Sequence, residues 1–260
     1  MLIINADDWG WSKETTDAAL SCYTQGRITS VSAMVFMGDS ERAAMLAAKH
    51  GIPTGLHLNF TQRFTNCAYP SSLQQHHECI RRFLKLGKYA VAFYNPLLRE
   101  SFRIVYDAQY EEFHRVYGHS PSHIDGHQHM HLCANMLLDP LIPSGERVRR
   151  SFSFRPGERK FVNRAYRKFV DRRLAQRYRL TDFFFCLYDC LQRQQIARVI
   201  ELSESANVEI MTHPIRSIEY RFLMGEEWND QTGSFRDVSY VSREHQPQNQ
   251  STPGITTNRS

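Results

Sequence analysis

The chain has no run approaching the ~18 consecutive apolar residues that a membrane-spanning helix needs. Its N-terminus, Met-Leu-Ile-Ile-Asn-Ala-Asp-Asp, lacks a basic segment followed by a long apolar stretch, so no secretory signal is read there and a cytoplasmic location is the default expectation. No Cys-x-x-Cys pair occurs among the six cysteines, which removes the usual structural-zinc and redox signatures and leaves them as reduced, half-buried residues. There is no internal repeat. Charge of one sign is not in excess either: the net charge is only +5 over 260 residues, of which 42% are hydrophobic and 23% charged, the balance of an ordinary globular chain.

That small net charge is unevenly spread. Between Arg147 and Arg179 there are 13 Lys or Arg against Glu158 and Asp171, a net of +11 that leaves −6 for the remainder. Aromatic residues (Phe152, Phe154, Phe161, Tyr166, Phe169, Tyr178) interleave with these charges at spacings that suit the buried stripe of a helix with a basic outer face. A solvated basic face is the preferred reading, and a nucleic-acid patch the lesser one.

Short apolar runs alternate with helical periodicity. Leu2–Ile4 reads as a buried strand ending at Asn5-Ala6-Asp7-Asp8. Ser12 is placed to cap a helix that Gly26 ends, and a second strand spans 28–36. Asp39 or Ser40 then caps a helix reaching His50-Gly51, and 54–59 is a third strand ending at a histidine. Two helices, 73–86 and 102–117, are expected in a helical insertion at about 61–121. Further strands are expected before Gly126, at 147–154, 182–187 and 208–214, with helices over 132–141 and 193–205. This alternation argues for an α/β fold with a mainly parallel sheet, in a single catalytic domain over 1–235. The tail from 244 to 260 has too little apolar surface to order itself.

The densest chemistry is His123-Ile124-Asp125-Gly126-His127-Gln128-His129-Met130-His131, which holds four of the 12 histidines. Gly126 would let the backbone turn there. Asp7 and Asp8 follow the first strand, His57 ends the third and His213 the last, and in a parallel sheet all these ends lie on one face. Carboxylates and imidazoles gathered there form an N/O donor set for Mg, Mn or Zn. Neighbouring Asp7 and Asp8 point different ways near a strand end, so one can bind metal while the other handles protons.

In these motifs the sequence resembles the YdjC-like carbohydrate deacetylases, including the chitooligosaccharide deacetylases. Asn5-Ala6-Asp7-Asp8-Trp9-Gly10 is similar to the opening motif, with Trp9 where Phe is usual. Gly55-Leu56-His57-Leu58 and the histidine cluster match the next two, the latter with Gly126 for a usual Ser. Met211-Thr212-His213-Pro214 resembles the last, with Ile215 where Gly is common. The resemblance implies a distorted (β/α) barrel like that of polysaccharide deacetylases. It also implies a divalent cation, Mg2+ ahead of Zn2+ or Mn2+, held by Asp8, His57 and His127. Asp7 would be the general base and His213 a general acid, with Arg149 or Arg155 orienting Asp7. His129 and His131 become second-layer or substrate contacts, and His123 a support for the strand. The implied reaction removes N-acetyl groups from a small carbohydrate. The alternatives are a metal-dependent phosphoesterase acting on an anionic sugar or nucleotide, and a non-catalytic module binding through segment 147–179. No membrane partner is expected, and homodimer formation stays open.

Overall fold

The computed structural model describes residues 1–66, 69–87, 89–154 and 160–228. Six strands, β1 (Leu2–Trp9), β2 (Ser30–Ala33), β3 (Thr54–Leu58), β4 (Ile124–Gly126), β5 (Phe183–Cys186) and β6 (Val208–Thr212), form one parallel sheet in the order β4-β3-β2-β1-β6-β5. The helices are α1 (Lys13–Thr24), α2 (Ser40–His50), α3 (Ser71–Leu84), α4 (Arg99–Tyr117), α5 (Ala134–Leu138), α6 (Phe161–Ala175), α7 (Leu187–Gln192), α8 (Ile196–Ser205) and α9 (Ser217–Met224). Strand β5 is half-buried at Phe183, Phe185 and Cys186, while β1, β2, β3, β4 and β6 are buried along their length, which is why the longer runs read as apolar rather than alternating. Leu2, Ile4, Val31, Leu56, Val208 and Ile210 supply that layer, each contributing ~1.5–3 kcal/mol by burial.

Between β4 and β5 the chain closes the curl of the sheet with only isolated bridges, Ile124 to Val148 and Arg147 to Arg179. The Ser153 amide also donates to the Phe184 carbonyl at 2.9 Å. The strand expected at 147–154 is therefore a bridged extended segment, and the result is a distorted barrel. A basic run of this kind cannot fill a fully buried central strand, and here it admits one arginine to the interior.

Local signals explain most boundaries. Ser12 caps α1 through the Thr15 amide at 3.3 Å, and Gly51 ends α2 at φ 64. The expected cap of α2 is different in kind. Asp39 occupies the N-cap position but its carboxylate pairs with Arg42 at 2.8 Å, while the Ser40 hydroxyl donates to the Met34 carbonyl, so neither side chain caps the helix. Between β3 and β4, α4 packs on α2 and β3 as a crossover helix, and α3 packs on α4.

The basic helix α6 also departs from expectation. Its buried residues are Val170 and Leu174, whereas Phe161 is 81% and Phe169 60% exposed. The core-facing stripe is narrow, and the aromatic residues fall on its flank. Among the described residues no helix is long and apolar enough to cross a membrane. The tail at 244–260 lies outside the described residues.

Candidate functional site

β1 runs on past Ile4 to Trp9, carrying both aspartates within the strand, and its register against β2 shifts between Ala6 and Trp9. At this bulge Asp8 adopts φ 64, in the left-handed region that Asp tolerates better than most residues. The bulge turns the two carboxylates apart. Asp8 meets histidines at the barrel mouth, and Asp7 faces the interior.

Asp8 Oδ1 accepts from His127 Nδ1 at 2.8 Å and lies 3.3 Å from His57 Nε2. Asp8, His57 and His127 are all buried, with their candidate ligand atoms within 4.8 Å of one another. Three donors at ~2.0–2.2 Å from one cation are separated by roughly 3–3.4 Å, so these spacings suit a shared divalent ion. The His213 Nε2 is 3.7 Å from Asp8 Oδ2. Trp11 packs edge-on against the His127 ring at 5.2 Å.

The same strand ends hold a second layer. His57 Nδ1 is 2.7 Å from Asp125 Oδ1, which directs the other ring nitrogen towards Asp8. Burial opposes a charge on His57, but Asp125 and Asp7 outweigh it and push its pKa up to about 10. Burial likewise opposes charge on Asp8, and the hydrogen bonds from His127 and His57 override it and hold Asp8 well below the usual carboxylate range.

Arg149 sits at the centre of the interior, 1% exposed. Its two terminal nitrogens grip Asp7 Oδ1 and Oδ2 at 2.8 Å each, one of them also reaches Asp125 Oδ2 at 2.5 Å, and Nε donates to Glu209 Oε1 at 2.6 Å. Burial alone would disfavour this guanidinium, and the carboxylates of Asp125, Asp7 and Glu209 hold it charged. Asn5 Nδ2 donates a further bond to Asp7 Oδ1 at 3.0 Å. A second acidic and imidazole group, Asp7, His57 and Asp125, is also compact, but there the guanidinium already occupies the place of a cation.

The remaining histidines part company. His131 donates from Nε2 to the Arg149 carbonyl at 3.0 Å, and burial pushes its pKa down to about 4. His129 is edge-on to Phe152 at 4.6 Å, and burial, reinforced by Arg149, keeps it neutral. His123 lies beneath β3 with Nε2 2.9 Å from the Ser32 hydroxyl. A Cβ on Gly55 would come within 2.4 Å of its ring, so only glycine admits it. Gly126 serves close approach too, since its Cβ would meet the His131 amide nitrogen at 2.9 Å, yet its own φ of −164 is extended. The turn expected of Gly126 is made by Gln128 and His129, at φ 54 and 59.

Arg155 lies outside the described residues; among the described ones Arg149 reaches Asp7. Four contributors carried no assigned role in the sequence reading: Asp125, Glu209, Glu219 and Asn5. Glu219 Oε2 accepts from both the Thr212 hydroxyl and the His213 amide at 2.8 Å, fixing the turn that carries His213. Asp125 shares a strand face with His123 and His127 by its period of two, and Glu209 is a charge inside an apolar strand, so both left a readable signal.

A parallel α/β barrel with buried carboxylates and imidazoles converging at its strand ends defines the class: a barrel with a candidate divalent-metal centre. The family model described as YdjC-like protein matches residues 1–240, and the chain belongs to that family. It is 32% identical over 140 residues to a carbohydrate deacetylase of Mus musculus, covering 50% of this chain and 43% of the relative. It is 33% identical over 135 residues to a chitooligosaccharide deacetylase of Serratia marcescens, covering 51% of each. The chain spans about half the length of the curated relatives it matches. In fold it is similar to a crystal structure of a candidate cellobiose-phosphate cleavage protein from Enterococcus faecalis V583, with TM-score 0.61, 17% identity, and 89% and 93% of the two chains covered.

Proposed function

We propose that the protein is a metal-dependent carbohydrate deacetylase that hydrolyses the N-acetyl amide of an amino sugar or short chitooligosaccharide. The observation that carries this reading is Asp7, clamped by Arg149 at 2.8 Å on both oxygens, beside the buried Asp8, His57 and His127 donor set. The relatives' names, carbohydrate deacetylase and chitooligosaccharide deacetylase, support the substrate class.

A divalent cation held by Asp8, His57 and His127, with Mg2+ proposed ahead of Zn2+ or Mn2+, supplies polarisation of the amide carbonyl and acidification of water. The chain's own residues do the rest. Asp7 Oδ1 accepts from Arg149 and Asn5, while Oδ2 accepts one bond from Arg149, which leaves an acceptor position on Oδ2 to take the proton of the attacking water. Arg149 keeps Asp7 oriented. Asp125 holds the His57 ring so that Nε2 faces Asp8. His213, whose backbone amide is held by Glu219 at the end of β6, protonates the leaving amine nitrogen in this proposal.

The experiment is an acetate-release assay on N-acetylglucosamine oligomers and on phosphosugars in parallel. Acetate without phosphate is the expected result, and phosphate release without acetate would replace this reading by a phosphoesterase.

A further inference from the structure

Helix α6 presents to solvent two stripes that the candidate metal centre does not use. Its buried residues are Val170 and Leu174. Val162, Tyr166 and Phe169 stand at i, i+4 and i+7, so they share one flank of the outward side, and they are 77%, 43% and 60% exposed. Arg173 ends that line. Arg164, Lys168 and Arg172 stand at i, i+4 and i+8 on the other flank, with Phe161 and Ala165 between the two. Among the described residues none of these three basic side chains makes a hydrogen bond or ion pair, and the one acid of the helix, Asp171, is held by Arg150 at 2.6 Å. The neighbouring chain adds to the apolar part. Lys85 and Gly87 line one cavity with Tyr166, and Leu86 between them is 81% exposed.

Large apolar side chains left in water beside unanswered positive charge call for a partner that is apolar and anionic at once. A bilayer containing anionic phospholipid is both. An interfacial helix lies in the plane of the headgroups, with aromatic and aliphatic side chains at the acyl boundary and Lys or Arg against the phosphates. It needs no membrane-spanning segment, and no helix among the described residues is long and apolar enough to be one. Two other occupants answer only part of this surface. A second copy meeting the first through α6 would set Arg164, Lys168, Arg172 and Arg173 against their own counterparts. Single-stranded nucleic acid answers the charge and stacks on Phe or Tyr, but gives Val162 and Leu86 nothing to bury against. We propose that α6, with Leu86 beside it, docks the protein peripherally on an anionic phospholipid surface. The expectation of no membrane partner rests on the absence of a long apolar run; here the apolar residues are interleaved with basic ones, and only their exposure reveals the face. The inference is independent of the chemistry at Asp7 and Asp8.

The test is cosedimentation of the full chain with vesicles of phosphatidylcholine alone, and of phosphatidylcholine with about 30% phosphatidylglycerol, at ~0.1 M and ~0.5 M salt. The anionic vesicles are expected to bind about tenfold or more above the neutral ones at low salt, and to lose that advantage at high salt. This lipid and salt dependence is read on the wild type without any variant. Arg164→Gln/Lys168→Gln/Arg172→Gln is expected to bind the anionic vesicles about 100-fold more weakly, roughly fivefold per charge removed. Val162→Ser/Phe169→Ser is expected to bind them about tenfold more weakly. Lys49→Gln, an exposed change on α2, leaves binding unchanged. No binding to the anionic vesicles, equal binding to both kinds, or binding that either α6 variant retains in full overturns the proposal. Capture of a single-stranded oligonucleotide, or dimer formation, in place of vesicle binding overturns it too and assigns the face to that partner.

Discussion

His57 Nδ1 lies 2.7 Å from Asp125 Oδ1, with both side chains sealed from solvent, so the ring orientation of a candidate metal ligand is set by a carboxylate on the neighbouring strand. Removing that charge frees the tautomer. Asp125→Asn is expected to weaken divalent-metal affinity by about 10- to 100-fold, read by calorimetric titration of the metal-stripped protein. An unchanged affinity would show that Asp125 serves only the Arg149 cluster.

Asp7 and Asp8 are adjacent in sequence but serve different partners, and their variants should separate accordingly. Asp7→Asn keeps its metal and loses about 10²- to 10⁴-fold in turnover, whereas Asp8→Ala loses the metal itself. Metal analysis of the two purified variants, set beside acetate release, checks both halves. Metal loss in Asp7→Asn would move that residue into the ligand set.

Arg149 is the guanidinium shared by the buried carboxylates of Asp7, Asp125 and Glu209 in the barrel interior. Arg149→Met preserves length and removes the charge, leaving buried carboxylates uncompensated. The expected cost is about 3–5 kcal/mol in urea unfolding. A loss under ~1 kcal/mol would mean that water reaches the cluster.

Two pH windows follow from the buried histidines. Burial pushes His77, His123 and His131 down to about 4, so between that value and ~6.5 the unfolded chain binds protons that the folded chain refuses. Stability therefore falls as pH drops through this window, by up to about 1.4 kcal/mol per pH unit for each histidine. His57 has the opposite sign. With its folded pKa raised to about 10, its contribution in metal-stripped protein is complete below ~6.5 and is lost as pH rises through 10. A cation must displace that proton, so metal affinity should climb about tenfold per pH unit below pH 10. Urea midpoints and metal titrations across pH 4–10 test both trends, and flat profiles would contradict them.

Much of the fold was legible because buried parallel strands leave compact apolar runs, as at Ile3-Ile4, Phe183–Phe185 and Ile210-Met211, each followed by a helix. The closing segment was read as a strand at 147–154, but its pairing by isolated bridges alone was not legible, since single bridges carry almost no pattern. That Asp7 and Asp8, His57 and the histidine cluster gather at one end followed from strand ends sharing one face, whereas the choice of Asp8, His57 and His127 among them came from the family resemblance. The bulge that gives Asp8 its φ of 64 and the two left-handed residues after His127 could not be read, because they depend on pairing register and close packing rather than residue type. Arg149 stood in a run of basic residues with nothing local to single it out; the family resemblance offered it alongside Arg155, and its contacts with three carboxylates from other strands were not legible.

The most direct measurement is acetate release from the di-N-acetylated glucosamine dimer by wild-type protein as purified, after chelation, and after Mg2+ is restored. The account predicts release that chelation abolishes and the cation returns. Release that persists undiminished in the chelated protein, or none in any of the three states, would contradict it.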